Sequence, residues 1–196
     1  MAAKTAATPT VLVVGDSLSA EYGLSRGTGW VPLLQQRLQQ QQVPAQVVNA
    51  SISGDTTSGG RARLGSLLKQ HEPGVVIIEL GGNDGLRGLP LKNTEDNLRA
   101  MVRASHAIGA RVVLVGMQLP PNFGRDYGRR FESIFGNVAR SEKAALVPFL
   151  LTGVADVPNA ESMFQADRIH PRAEAQPLML DNVWPVLKPL LLQLQR

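Results

Sequence analysis

Short apolar runs that close on small or polar turn residues alternate along this chain with longer segments of helical period, and no other feature narrows the fold as far. The runs lie at residues 11–14, 46–49, 75–80, 111–115 and 144–147. A strand that is apolar at nearly every position has both faces covered, as parallel strands between helix layers do. Between the runs, 30–42 is apolar at 30, 31, 33, 34 and 38, while 93–108 offers Leu98, Met101, Val102 and Ile108, both spaced for one inward helical face. Thr94 is placed to cap the second of these. Segments 129–143 and 178–194 complete the helices, with Pro185 and Pro189 expected to kink or shorten the last. The expected architecture is α/β: a single three-layer α/β/α domain over 1–196, built on a flavodoxin-like five-stranded parallel sheet, with 1–9 as a flexible lead.

A chain of 196 residues suits one core and is short for two. With no cysteine there is no disulfide framework, thiolate metal site or cysteine nucleophile. A net charge of +4 would suit nucleic acid if the basic residues gathered among stacking aromatics. Instead Arg61, Arg63, Arg103, Arg111, Arg125, Arg129, Arg130 and Arg140 are separated by acidic or apolar residues, and aromatics are only 5%, so they read as a solvated basic face. No nucleic-acid partner is expected, and membrane-surface contact is weak at most. The opening MAAKTAATPT lacks the apolar stretch of an export signal; it fits a chain from which one was removed as well as a cytoplasmic start.

In this kind of fold ligands gather beyond the carboxyl ends of the strands, so the turns there carry the chemistry. They read Gly15-Asp16-Ser17-Leu18-Ser19, Ser51-Ile52-Ser53-Gly54-Asp55 and Gly81-Gly82-Asn83-Asp84-Gly85. Only three histidines are available as a general base. His71 precedes Glu72-Pro73-Gly74 and His106 lies just ahead of Gly109, so both belong to the last turn of a helix, where an imidazole suits the helix end. His170 lies in Asp167-Arg168-Ile169-His170-Pro171, and that spacing can bring Asp167 onto one ring nitrogen, fixing the tautomer. Read alone, the same letters also fit a surface Asp and His ahead of a proline. Ser17, exposed by its turn at a strand end, is a poor nucleophile until a base takes its proton, and His170 is the base that remains. The plainer alternative is that Ser17 or Ser19 caps the following helix. A backbone N–H at Gly54 and the side-chain amide of Asn83 would supply oxyanion donors; singly, they read equally well as a turn glycine and an Asx-turn.

Together these four blocks resemble the SGNH or GDSL hydrolases, whose Ser, Gly, Asn and His appear here in order as Ser17, Gly54, Asn83 and His170. The resemblance runs from about residue 11 to the final helix. Segments 15–24 and 88–90 and the stretch from His170-Pro171 to Gln176-Pro177 look like the bacterial group of multifunctional thioesterases, proteases, lysophospholipases and arylesterases. It implies Ser17 as nucleophile, His170 as base and Asp167 as its orienting partner. The Ser17 and Gly54 N–H groups and the Asn83 amide would form the oxyanion hole, Leu119 and Ile169 would contact the acyl group and 85–90 would be a mobile loop; an acyl chain would then lie across an open crevice walled by Leu86, Leu89, Leu119 and Ile169. It implies no metal and no cofactor, small-molecule acyl esters or thioesters as substrates, and a periplasmic or secreted location with a cytoplasmic one as alternative; it leaves the oligomeric state open. A sugar O-acetyl esterase is the alternative within the family. A flavodoxin-like phosphate- or nucleotide-binding module is the alternative outside it, disfavoured because Asp16, Asp55 and Asp84 put negative charge in the turns and no phosphate-cradling glycine motif is present.

Overall fold

The computed structural model describes residues 8–195. Five strands, β1 (Thr10–Gly15), β2 (Gln46–Asn49), β3 (Val75–Glu79), β4 (Arg111–Val115) and β5 (Ala145–Val147), form one sheet in the order β2-β1-β3-β4-β5. All four neighbouring pairs are parallel. The long helices are α1 (Trp30–Gln40), α2 (Thr57–His71), α4 (Leu91–Ala107), α5 (Arg125–Glu142) and α6 (Gln176–Leu194), with a short α3 (Gly82–Leu86) after β3. The strand expectations therefore hold to within a residue or so at each end. Residues 1–7 of the expected flexible lead lie outside the described residues; β1 starts at Thr10, directly behind it.

The two-residue period of the strands sorts the core into two layers. Val11, Val13, Val75, Ile77, Val113 and Val115 face Trp30, Leu34 and Leu38 of α1 and Met179, Val183 and Leu187 of α6. Leu12, Val14, Val76, Ile78, Val112 and Leu114 face Leu64 of α2, Leu98 and Met101 of α4 and Phe131 and Phe135 of α5. Each inner strand residue is thus taken from water on one side or the other, which is why the runs read apolar throughout. Among the described residues no helix is long and apolar enough to cross a membrane.

Two local expectations need correction. Thr94 is not a cap: α4 begins behind Pro90, and Thr94 is fully buried inside it, its hydroxyl donating to Asp84 Oδ1 at 3.3 Å. Nor do the prolines shorten α6, which runs through both to Leu194. Pro185 and Pro189 are exposed while Val183, Leu187 and Leu191 are buried, so the carbonyls that lose a partner lie toward water and the packed stripe is unbroken.

The chain leaves β1 in one direction to β2 and returns across it to β3, so the strand order reverses between β1 and β3. Such a reversal parts the turns above the sheet and opens a crevice there. The turns that follow β1, β2 and β3 hold Ser17, Gly54 and Asn83.

Candidate active site

The turn after β1 is organised by Asp16, whose Oδ1 accepts the Leu18 N–H at 3.0 Å and whose carbonyl accepts the N–H groups of Ser19 and Ala20. Asp16 thereby closes the turn, no helix follows it before α1, and the Ser17 hydroxyl is left for another partner. That partner is His170, whose Nε2 stands 2.8 Å from Ser17 Oγ. On the other side of the ring, Nδ1 is 2.7 Å from Asp167 Oδ2. Asp167 Oδ1 accepts the backbone N–H groups of Ile169 at 2.9 Å and His170 at 3.0 Å. Partial burial pushes the Asp167 carboxyl up, but the His170 N–H, the imidazole and the Ile169 N–H outweigh it and bring it down to about 2. An ionised carboxylate can only accept, so Nδ1 carries the proton of the neutral ring, and Nε2 is free to accept the serine proton. His71 and His106 end α2 and α4, far from this turn in sequence and in the roles expected of them.

The histidine turn is irregular and is held by local bonds. The Gln165 N–H donates to the His170 carbonyl at 2.8 Å, Arg172 donates to the Met163 carbonyl at 2.8 Å, and Phe164 bridges to Pro171. Gln165 Nε2 reaches across to the Tyr22 carbonyl at 2.9 Å, joining this turn to the one that bears Ser17. Tyr22 also lays its ring against His170, with centroids 4.3 Å apart. Nothing in the sequence signals this stacking of Tyr22 on the histidine.

Asn83 is carried on α3, and its amide bridges two turns instead of closing an Asx-turn: Nδ2 donates to Asp16 Oδ2 at 3.1 Å and to the Asp55 carbonyl at 2.9 Å. Gly54 has φ +80, so it is the turn glycine of the plainer reading, and its carbonyl accepts from Arg87 Nη2 at 2.9 Å. Among the described residues neither the Ser17 N–H nor the Gly54 N–H has an acceptor within the chain.

Beneath the serine turn lies a carboxylate that sequence reading passed over. Glu79, the last residue of β3, is fully buried; its Oε2 accepts from Ser19 Oγ at 2.5 Å and from the Asp16 N–H at 3.3 Å. Ser19 in turn accepts from Trp30 Nε1 at 3.2 Å, so it too is no helix cap. Burial, and then the nearby Asp16 charge, push the Glu79 carboxyl well above the usual range. Burial likewise lifts Asp16 to about 6, against the Leu18 N–H and the His170 charge, which pull the other way. An acidic letter inside the apolar run Val75-Val76-Ile77-Ile78-Glu79-Leu80 was the available signal.

The crevice beside Ser17 and His170 has a volume of about 650 Å³, within the range of about 300–1,000 Å³ usual for small-molecule sites. Leu86, Leu119 and Ile169 line it, joined by Met117, Phe149 and Phe164, which come from turns whose approach no sequence pattern announced. Leu89 does not line it and is corrected: α3 turns Leu86 inward, and Leu89, beyond its end, is 37% exposed. Gly54 stands at the edge of the crevice, next to Asp55, whose carbonyl accepts from the Asn83 amide. Among the described residues no three His, Asp or Glu side chains group as metal ligands.

Comparison with known proteins gives a consistent result. Residues 13–177 match the GDSL-like Lipase/Acylhydrolase family. The chain is 55% identical to "Esterase TesA" of Pseudomonas aeruginosa over 186 residues, covering 95% of this chain and 91% of that protein. It is 43% identical over 187 residues to "Thioesterase 1/protease 1/lysophospholipase L1" of Escherichia coli, covering 95% and 87%. A crystal structure of TesA superposes with a TM-score of 0.88 at 55% identity, over 92% of this chain and 99% of the other.

Proposed function

This chain belongs to the GDSL-like lipase/acylhydrolase family, and we propose that it hydrolyses ester and thioester bonds in small acyl substrates through Ser17, His170 and Asp167. The observation that carries the assignment is the unbroken relay Asp167 Oδ2, His170 Nδ1, His170 Nε2, Ser17 Oγ, at 2.7 and 2.8 Å, opening on an apolar crevice.

In the first half-reaction His170 Nε2 takes the proton as Ser17 Oγ bonds to the acyl carbon, and the carbonyl oxygen becomes an oxyanion. The unpartnered N–H groups of Ser17 and Gly54 receive that charge together with the Asn83 amide. For Asn83 this means exchanging the longer of its two bonds, the one to Asp16, for one to the substrate oxygen. Collapse breaks the bond to the leaving alcohol or thiol, which takes the proton from the imidazolium. Water then attacks the acyl-serine by the same route, its proton passing to His170 and on to Ser17 as the acid leaves. Asp167, ionised far below neutral pH, stabilises the imidazolium in both halves.

The acyl chain lies along Leu86, Leu119, Phe149 and Phe164. Burial of each methylene is worth up to about 0.8 kcal/mol, so kcat/KM rises up to about fourfold per carbon until the crevice is full. Hydrolysis of p-nitrophenyl esters from acetate to palmitate by the wild type and Ser17→Ala tests the proposal. Turnover that rises with chain length and vanishes in the variant supports it; turnover kept by a folded Ser17→Ala sinks it. A periplasmic or secreted location is part of the same proposal, and cell fractionation checks it.

A further inference from the structure

Arg63 reads in sequence as one more solvated arginine, yet its guanidinium is turned inward and its side chain is 21% exposed. From α2 its Nε donates to Asp55 Oδ2 at 2.9 Å, its Nη1 to the Ala50 carbonyl, and its Nη2 makes a longer contact of 3.5 Å to the Gly15 carbonyl. Each acceptor belongs to a segment that delivers an oxyanion donor. Gly15 ends β1, two residues before Ser17. Ala50 opens the turn that leads to Gly54. Asp55 follows Gly54 directly, and its carbonyl accepts from the Asn83 amide at 2.9 Å. The Gly15 carbonyl also accepts the Ile52 N–H at 3.0 Å, so the two strand ends meet where the guanidinium grips them. The neighbourhood makes room for this contact: a Cβ on Gly59 would lie 1.9 Å from Asp55 Oδ1, the oxygen that holds the Thr56 N–H.

From this geometry we propose that Arg63 is a positioning residue for the reaction: its fork fixes the spacing of the Ser17 N–H, the Gly54 N–H and the Asn83 amide before the oxyanion forms. The proposal rests on the donor assignment made above. A planar guanidinium presents several donors at fixed angles and can hold acceptors from two turns at once, where an ammonium serves them one at a time. Arg87, which touches Gly54 itself, reaches it from the exposed side and holds that one carbonyl alone. Donors fixed in advance matter because an error of about 1 Å at a reacting centre costs about 100-fold in rate.

Arg63→Ala and Arg63→Lys, compared with the wild type on p-nitrophenyl butyrate, test it. We expect kcat to fall about 10- to 100-fold in Arg63→Ala with KM within about threefold. Arg63→Lys recovers little of the loss, and millimolar methylguanidine partly restores Arg63→Ala. The affinity of butylboronic acid, which forms a tetrahedral adduct on the serine, should fall by the same factor as kcat/KM, while that of 1-butanol, which fills the crevice without an oxyanion, stays constant. If Arg63→Ala does not fold, the kcat and boronate affinity of Arg63→Lys decide the matter. A kcat within twofold of the wild type overturns the proposal. So does a loss that tracks the folded fraction, with boronate affinity per folded molecule unchanged. Asn83→Ala run alongside separates the two readings: activity kept there removes the donor assignment itself, whereas activity lost there and kept in the Arg63 variants removes only the role of Arg63.

Discussion

Ser17 stands on a turn whose Asp16 is 2% exposed and whose Ser19 donates to the fully buried Glu79, whereas His170 stands on a turn whose Asp167 side chain is 38% exposed. The serine turn is fastened to β3, α1 and α3 through Glu79, Trp30 and Asn83. The histidine turn is fastened largely to itself, through Asp167 and Gln165. The two carboxylate sets accordingly shift in opposite directions: burial raises Asp16 and Glu79, and backbone and imidazole donors lower Asp167. Charge that develops on the substrate oxygen needs donors that do not move, and the fold provides them from its core. The base receives and returns a proton and needs only its tautomer and direction fixed, which a short exposed turn achieves by itself.

The largest effect should come from the bond that joins the two sides. Ser17→Ala and His170→Ala should each lower kcat on the order of 10⁴-fold or more, and the double variant little further, because the pair acts as a unit. Steady-state assays with urea titrations check this; single losses that multiply in the double variant would mean that the two sides work independently. Next, Asn83→Ala should lower kcat about 10²- to 10³-fold with KM little changed, as expected for a donor used mainly in the transition state. A rise in KM with constant kcat would instead assign the amide to ground-state binding.

The opposite shifts also make the two sides titrate stability with opposite sign. Asp16, raised from 3.8 to about 6, contributes stability that is complete below about pH 4 and lost as pH climbs through 6. Glu79, pushed well above the usual carboxylate range by burial, contributes in the same sense. Asp167, lowered to about 2, contributes stability that is present above about pH 4 and lost as pH falls toward 2. Glu79→Gln keeps an acceptor for Ser19 and carries no charge at any pH. Its urea midpoint should therefore gain on the wild type as pH rises above 4.5. Parallel pH dependence of the two proteins would show that Glu79 is ionised within the fold across that range.

What could be read from the sequence, and what could not, divides along the same line. Strands such as β1 and β3 are legible because helices cover both faces, so the apolar run has no gaps to blur it. Ser17 is legible because it follows a strand end, His170 because only three histidines exist and the other two fall at helix ends, and Asp167 because its bonds are local. Glu79 and Arg63 were not, since a lone charge in a strand or on a helix reads the same whether it meets water or a partner far along the chain; Glu79 meets Ser19 across 60 residues. The crevice wall was half legible: Leu119 and Ile169 sit near blocks that could be placed, while Phe149 and Phe164 come from turns without periodicity.

The smallest expected effect concerns the segment where sequence reading placed an apolar contact too many. Leu86 and Leu89 are three residues apart, a spacing that would put both on one helical face if α3 continued. It does not: α3 ends at Leu86, Gly88 takes φ +65, and the Leu89 N–H turns back to the Asp84 carbonyl at 2.9 Å. Leu89 is thereby directed to solvent, while Leu86 stays in the crevice wall. Leu86→Ala should therefore lower kcat/KM for a long acyl ester by about 1–3 kcal/mol, or roughly 5- to 150-fold, and spare the acetate ester. Leu89→Ala should change neither by more than about twofold, the usual reach of a surface substitution. Should Leu89→Ala instead match Leu86→Ala on the long ester alone, the 85–90 turn must close over the acyl chain during turnover, and the exposed position of Leu89 would be that of the open enzyme.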